Sequence, residues 1–183
     1  MEKEKMVKRL VYLSFLAALN VVFTRLFSFR VAIGGVEGVR LGIGGLPVIM
    51  AGILFGPLSG ALVGAVGDVA GFLISPMGAY MPHFTLTAAL TGLIPGLLLK
   101  TAFSCRFDFW RILVAVSIGQ VTTSVVLVPY FLNMLFGMPY ASVFWPALVG
   151  QLISIPLYAS FIVVLSQRLV TGGVLSKPLL YCE

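Results

Sequence analysis

Three arginines and one aspartate are the residues of this sequence best suited to recognising a charged ligand. Arg25, Arg30 and Arg40 lie in or beside a basic, glycine-rich stretch, residues 34–45, between two apolar segments. Asp68 is the only acidic residue within an apolar segment. A carboxylate within a membrane is costly and normally faces a cavity or a partner, and guanidinium groups bind carboxylates through paired hydrogen bonds. The pattern indicates capture of an anionic ligand.

The composition identifies a membrane protein with several spans. Of its 183 residues, 60% are hydrophobic and 10% are charged, and the mean hydropathy is +1.09. A soluble domain is nearer ~45–50% apolar and ~25% charged. The net charge of +6 comes from cations that mark loops, so it does not indicate nucleic-acid binding. Cys105 and Cys182 fall in predicted cytoplasmic loops and suggest no disulfide framework.

Six apolar segments have the length and composition of membrane-spanning helices. A helix needs ~20 residues to cross a bilayer, and fewer where neighbouring helices shield it. We therefore predict an all-α integral membrane protein with six transmembrane helices in a single domain, residues 1–183. The predicted helices are about 10–29, 41–55, 58–75, 84–100, 109–133 and 143–168.

The distribution of cations predicts the orientation. Cytoplasmic loops normally carry the excess of Lys and Arg. With the N-terminus inside, nine cations become cytoplasmic: Lys3, Lys5, Lys8, Arg9, Lys100, Arg106, Arg111, Arg168 and Lys177. Both termini are then cytoplasmic, and Arg25, Arg30 and Arg40 lie outside. Because outer loops normally carry few cations, the position of these three arginines leads us to expect that an anion is bound from outside.

Small residues recur at helical spacing in two of the predicted spans. The first ladder comprises Gly56, Gly60, Gly64, Gly67 and Gly71, which lie within ~80° of one another on one helix face. Ala88, Gly92 and Gly96 repeat the pattern in the fourth span. Such ladders allow close helix packing, which explains both without a ligand. Asp68 lies only ~40° beyond the edge of the first ladder, so it is predicted to point into the bundle.

Several polar and aromatic residues have two interpretations each. Asp68 either contacts a ligand or forms a structural ion pair with an outer arginine such as Arg40. His83 either begins a helix after Pro82 or lines the outer mouth of a site, with Tyr80 and Phe84 as stacking faces. A single histidine with no Cys, Asp or Glu cluster beside it does not build a metal site.

Two long amides within the spans also have two interpretations. Gln120 and Gln151 either hold helices together or face a ligand, and a long amide is costly against lipid. Enzymatic motifs are absent from the sequence: no phosphate loop, no zinc-binding HExxH and no paired-aspartate protease motif. We therefore do not expect an enzyme, and any ATP-driven work requires a partner.

The run from Arg40 to Gly96 carries a family resemblance. The segments RLGIGGLPVIMAGILFGPLSGALVGAVGDVAGF and SPMGAYMPHFTLTAALTGLIPG resemble the substrate-binding S subunits of energy-coupling factor (ECF) vitamin transporters, and among them the folate type. The shared features are Arg-x-Gly, Gly-Pro-Leu-x-Gly, Gly-Asp, Gly-x-Tyr-x-Pro and Thr-x-x-Ala. Size, six helices and both termini inside agree across the chain.

The resemblance implies a role and partners. It implies a bacterial plasma-membrane subunit that captures a vitamin outside and docks on a transmembrane T subunit driven by two ATPases. ATP is then used by the partners, and the chain itself needs no cofactor. The family's first helix usually carries small residues four apart for docking. Ser14 and Ala18, with Ala17 between them, match as a variant, although packing within the chain explains them equally well.

Folate chemistry suits the candidate residues. The glutamate tail carries two carboxylates for Arg25, Arg30 and Arg40. The pterin ring presents an N–H beside an amino group, and Asp68 is able to accept from both. Tyr80 and Phe84 are able to stack on the ring. Two alternatives remain at this point: an S subunit for another vitamin such as pantothenate or riboflavin, or a membrane scaffold or enzyme accessory without a ligand.

Overall fold

A computed structural model describes residues 2–26, 28–33, 36–75, 80–103 and 108–171, with the backbone alone described at residues 2, 5, 26, 28–33, 36–41 and 169–171. Its elements are α1 (Glu2–Leu26), β1 (Ser28–Ile33), β2 (Val36–Gly42), α2 (Gly45–Phe55), α3 (Pro57–Ile74), α4 (Pro82–Thr101), α5 (Phe109–Gln120), a π-helical segment (Val121–Leu127), α6 (Val128–Phe136) and α7 (Tyr140–Thr171). Since α5, the π-helical segment and α6 are continuous, the described residues form six helical spans. The predicted all-α, six-helix membrane fold is confirmed, with a small β-hairpin added.

Five of the helical spans are long and apolar enough to cross a membrane. They are Met6–Arg25, Pro57–Ile74, Pro82–Thr101, Phe109–Phe136 and Tyr140–Arg168. The sixth, α2, has 11 residues, which reach roughly 16 Å, about half of a ~30 Å hydrocarbon core. Every residue from Leu46 to Phe55 is buried, so α2 is a central helix shielded by the others.

The first connection differs from the sequence prediction. The sequence predicts helices over 10–29 and 41–55, but α1 ends at Leu26, and β1 and β2 pair in antiparallel fashion as a hairpin instead. This stretch combines glycines, which are poor helix formers, with β-branched residues that favour strands. The register places Arg30 opposite Arg40, and an irregularity follows between Val31 and Ala32.

Glycines bring α2, α3 and α4 into direct backbone contact. A Cβ added at Gly52 of α2 would lie 2.0 Å from the carbonyl oxygen of Gly92 of α4. A Cβ added at Gly60 of α3 would lie 2.6 Å from the Cα of Gly52. Because real Cβ atoms do not approach so closely, any side chain here would force the helices apart. The predicted close packing through small residues is confirmed.

A side-chain clamp fixes the turn between α2 and α3. Gly56 has a positive φ of 97°, and Pro57 begins α3, so the chain reverses within one residue. The Arg9 guanidinium of α1 donates a hydrogen bond to Ser59 Oγ at 2.8 Å and another to the Phe55 carbonyl. The end of α2 is thereby tied to α1, and Leu16 packs nearby with Val48 and Leu54.

Candidate ligand-binding site

A cavity of about 170 Å³ lies among the helices beneath the base of the hairpin. Helices α1, α3, α4 and α7, the turn after β2, and the junction of α5 with the π-helical segment all contribute to its wall. Its polar lining consists of Asn20, Thr24, Arg25, Asp68, Thr87, Thr91, Gln120, Thr123, Ser124, Gln151 and Tyr158. An apolar bundle with so many polar groups around one cavity is arranged to hold a polar ligand.

The outer part of the glycine ladder makes room for this site. A Cβ added at Gly67 would lie 2.2 Å from Asn20 Oδ1, and one at Gly71 would lie 3.2 Å from Arg25 Nε. Both glycines line the cavity. Sequence reasoning explained the ladder by helix packing alone, but its outer half also admits two polar side chains of α1.

Asp68 is held in position by a chain of hydrogen bonds. Thr85 Oγ1 donates to Asp68 Oδ2 at 2.8 Å, and the Tyr80 hydroxyl lies 2.8 Å from Thr85 Oγ1. Asp68 belongs to α3 and Thr85 to α4, so the contact crosses between two helices. Asp68 points into the bundle, as its position beside the glycine face predicted, and it lines the cavity.

Arg25 joins the end of α1 to the end of α3. Its Nη1 donates a hydrogen bond of 2.8 Å to the Ser75 carbonyl oxygen, and the side chain lines the same cavity as Asp68. A guanidinium offers five N–H groups in a fixed fork, so Arg25 is able to hold the backbone and contact a ligand together.

The other two candidate arginines lie on the hairpin. Arg30 of β1 and Arg40 of β2 are direct partners in the antiparallel register. Their side chains lie outside the part of the chain that the structure describes. The hairpin joins α2 through the Gly42–Gly45 turn, and Gly42, Gly44 and Gly45 line the cavity.

The remaining predicted residues divide into two groups. Phe84, Gln120 and Gln151 line the cavity with Arg25 and Asp68. Tyr80 and His83 are not among the lining residues: the His83 ring packs on Phe131, with ring centroids 5.0 Å apart, and Tyr80 packs on Phe72 at 5.2 Å. Tyr80 thus packs against the Phe72 ring, and the Thr85 hydroxyl connects it to Asp68 by two hydrogen bonds.

Two buried residues that the sequence reasoning missed hold the turn above the cavity. Asn20 Nδ2 donates to the Gly44 carbonyl at 2.8 Å, and the Tyr158 hydroxyl donates to the Gly42 carbonyl. Asn20 is 6% exposed and Tyr158 is 4% exposed. A lone amide in the first apolar span was a signal for Asn20. Tyr158 lies near the middle of the sixth predicted span, and only the fold brings it to Gly42.

The π-helical segment shapes one wall of the cavity. Pro129 lacks an N–H and its ring crowds the carbonyl four residues earlier, which explains why the regular helix is interrupted just before it. The wider turns contain Thr123 and Ser124, which line the cavity. Thr91 of α4 donates to Thr123 Oγ1 at 3.2 Å. Such π-helical turns often accompany binding sites.

The predicted docking residues lie on α1, away from the cavity lining. Ser14 and Ala18 are exposed, whereas Ala17 packs against the cluster around Leu16 and Phe55. Ser14 and Ala18 therefore present a small-residue surface to lipid or to a partner, and Ala17 contributes to the interior.

The family follows from a match over nearly the whole chain. A family model described as the S component of the ECF-type riboflavin transporter matches residues 4–171. This chain is an S component of an ECF-type transporter. It is accordingly a multi-pass protein of the bacterial plasma membrane, and its family consists of transporter subunits and not of enzymes.

Relatives and solved structures agree with this assignment. The S component is 36% identical over 155 residues to the folate transporter FolT of Clostridium novyi (strain NT), covering 85% of this chain and 86% of that one. It is similar to a crystal structure of FolT bound with folic acid, with a TM-score of 0.70, 26% identity, and coverage of 87% and 90%. An S component for biotin has the same fold at 21% identity and a TM-score of 0.70, over 92% and 94% of the chains.

Proposed function

We propose that this S component binds folate or a closely related pterin vitamin in the cavity. The observation that carries the proposal is that a cationic side chain, Arg25, and a carboxylate, Asp68, line one cavity with the ring of Phe84. Folate has matching parts: carboxylates on its glutamate tail, ring N–H donors, and a flat ring that stacks. The 36% identity to a folate transporter supports the same ligand.

The hairpin register supports capture of the carboxylate tail. Like charges directly opposite each other on neighbouring strands destabilise a sheet. Arg30 and Arg40 are partners in the register, so the strand pairing brings two cationic residue types to one position of the hairpin. A tail carboxylate held there would offset such repulsion through charge-assisted hydrogen bonds.

Riboflavin is the second candidate, because the matching family model is described by that vitamin. Riboflavin has no carboxylate for a guanidinium group to bind, whereas the glutamate tail of folate has two. Riboflavin also has no exocyclic amino group to donate to Asp68. These residues favour folate, and the two ligands are separated by direct titration.

We further propose that delivery into the cell needs partner subunits. A transmembrane T subunit and two ATPases would supply the ATP-driven step, with Ser14 and Ala18 of α1 in the contact. The chain forms one membrane domain with both termini in the cytoplasm, so the hairpin and the cavity mouth face outside. The nine Lys and Arg residues other than Arg25, Arg30 and Arg40 support this orientation.

Equilibrium dialysis of the purified S component tests the ligand. Folic acid should bind stoichiometrically and riboflavin should not compete with it. Binding of riboflavin with no binding of folic acid would overturn the folate assignment. Binding of neither vitamin would contradict both candidates.

A further inference from the structure

Gln120 presents a defined end of its amide at the cavity. The side chain is 3% exposed, and its Oε1 accepts a hydrogen bond of 3.0 Å from Ser124 Oγ. Its Nε2 lies 3.2 Å from the position that a Cβ on Gly45 would occupy. The glycine at position 45 thus leaves room for the amide nitrogen. Since Ser124 engages the oxygen, the nitrogen of Gln120 is the donor on this wall.

Gln151, on α7, offers the cavity a hydrogen-bond acceptor, where Gln120 offers a donor. It is 8% exposed, and its Oε1 is buried with no hydrogen-bond partner among the described residues. A buried carbonyl oxygen without a donor is destabilising, and native proteins rarely leave one unsatisfied. Gln151 lines the cavity, so a donor on a bound ligand is able to satisfy it.

Helix packing alone does not explain this pair. An amide that holds two helices together has its oxygen paired with a donor on the neighbouring helix. Ser124 is in the same helical span as Gln120, four residues on, so that bond orients the amide and joins no second helix. Neither amide has a hydrogen bond to another helix among the contacts described here.

We propose that Gln120 and Gln151 are the specificity-determining pair that recognises the edge of the ligand's heterocycle. Gln120 Nε2 would donate to a ring carbonyl, and Gln151 Oε1 would accept from a ring N–H or amino group. The class of ligand is a keto heterocycle, in which a carbonyl lies beside an N–H. The inference rests on the proposed vitamin-binding function and adds which edge of the ring the protein recognises. Asp68 and the arginines then recognise other parts of the molecule.

Titration of folic acid and its 4-amino analogue, aminopterin, tests the pair. The analogue keeps the glutamate tail but replaces the ring carbonyl with an amino group and loses the adjacent N–H. The parent protein should bind folic acid at least about tenfold more tightly than the analogue, and Gln151→Met should weaken folic acid binding about ten- to a hundredfold. Gln151→Glu keeps an acceptor oxygen and should recover most of that loss.

Two further variants complete the experiment. Gln120→Met removes the donor to the ring carbonyl and should reduce the preference for folic acid over the analogue; an unchanged preference would show that Gln120 does not recognise the carbonyl. Gln167→Met is the matched control, because Gln167 is exposed and does not line the cavity. Its affinities should equal those of the parent. Melting temperatures of the variants that are no lower than that of the parent, measured without ligand, show that the losses arise from recognition.

The outcomes separate this inference from the folate assignment. If the parent binds folic acid and the analogue equally, or if Gln151→Met binds folic acid like the parent, the pair does not read the ring, while folate binding stands. If the parent binds riboflavin in place of folic acid, the folate assignment is wrong. Riboflavin has the same carbonyl and N–H edge. Weaker riboflavin binding in Gln151→Met would therefore still support the proposed role of the two glutamines, and unchanged riboflavin binding would overturn that role.

Discussion

Thr85 Oγ1 donates a hydrogen bond of 2.8 Å to Asp68 Oδ2, across the contact between α4 and α3. This bond fixes one oxygen of a carboxylate that lines the cavity. A carboxylate oriented by a neighbouring helix is prepared to accept hydrogen bonds from a ligand without reorganising. Thr85 is therefore a positioning residue, and Asp68 is the residue expected to contact the ligand.

Substituting these two residues should weaken binding to different extents. Asp68→Asn removes the charge and replaces one acceptor with a donor, so affinity for folic acid should fall about ten- to a hundredfold. Thr85→Val keeps the shape and removes the donor, so the fall should be smaller, about three- to tenfold. Calorimetric titration measures both. Unchanged affinity in Asp68→Asn with a lower melting temperature would make Asp68 a structural residue only.

The arginines should contribute to affinity through the paired, planar N–H donors of the guanidinium group, and not through positive charge alone. Replacing Arg25, Arg30 or Arg40 with alanine removes a charge-assisted contact, and the most affected variant should bind roughly ten- to a hundredfold more weakly. Lysine should rescue that variant poorly, because it lacks the planar pair of donors. Arg168→Ala, at an exposed position near the end of α7, is the control. Normal binding in all three alanine variants would rule out anion capture.

The turn between the hairpin and α2 should control how long the ligand stays bound. Tyr158→Phe removes the donor to the Gly42 carbonyl, which loosens the base of the hairpin above the cavity. We expect dissociation to be about three- to thirtyfold faster, with a smaller change in the association rate. Stopped-flow displacement measures both rates. The control is Tyr130→Phe, because Tyr130 is exposed and does not line the cavity; equal dissociation rates in the two variants would contradict the role given to Tyr158.

The exposed small residues of α1 should matter for transport and not for binding. Ala18→Trp places a large ring on the surface shared with Ser14 and should block close approach of a partner helix. Binding by the isolated protein should persist, while vitamin uptake by cells with the full set of partner subunits is lost. Val114→Trp, on the exposed face of α5, is the control. Joint loss of binding and uptake in Ala18→Trp would show that Ala18 packs inside this chain, and normal uptake would show that docking uses another surface.

Sequence reasoning succeeded where one physical rule dominates. Charge is so unfavourable within a bilayer that hydropathy alone located the spans, and helical periodicity correctly placed Asp68 beside the glycine face. A short second helix was also predicted, over 41–55, and α2 ends at the same residue. The hairpin was not predicted, because the apolar residues of the first connection fit a helix or a strand equally well. Glycine content and tertiary contacts decided between them.

The composition of the site was harder to predict than the fold. His83 and Phe84 are adjacent in sequence, but consecutive helix positions differ by ~100°, so Phe84 lines the cavity while His83 packs on Phe131. Asn20 and Tyr158 act through backbone carbonyls of a distant turn. Nothing in their local sequence specifies those partners. Sequence pattern thus identified polar residues in the membrane, and the fold determined which of them meet.

Mass spectrometry of the ligand that co-purifies with the protein tests the central claim most directly. The protein is expressed in cells supplied with folate, riboflavin and pantothenate together, purified in detergent and denatured, and the released small molecules are identified. We expect a folate near one equivalent per protein, and a sharply reduced amount in Asp68→Asn. Riboflavin or pantothenate at that stoichiometry, or no vitamin at all, would contradict it.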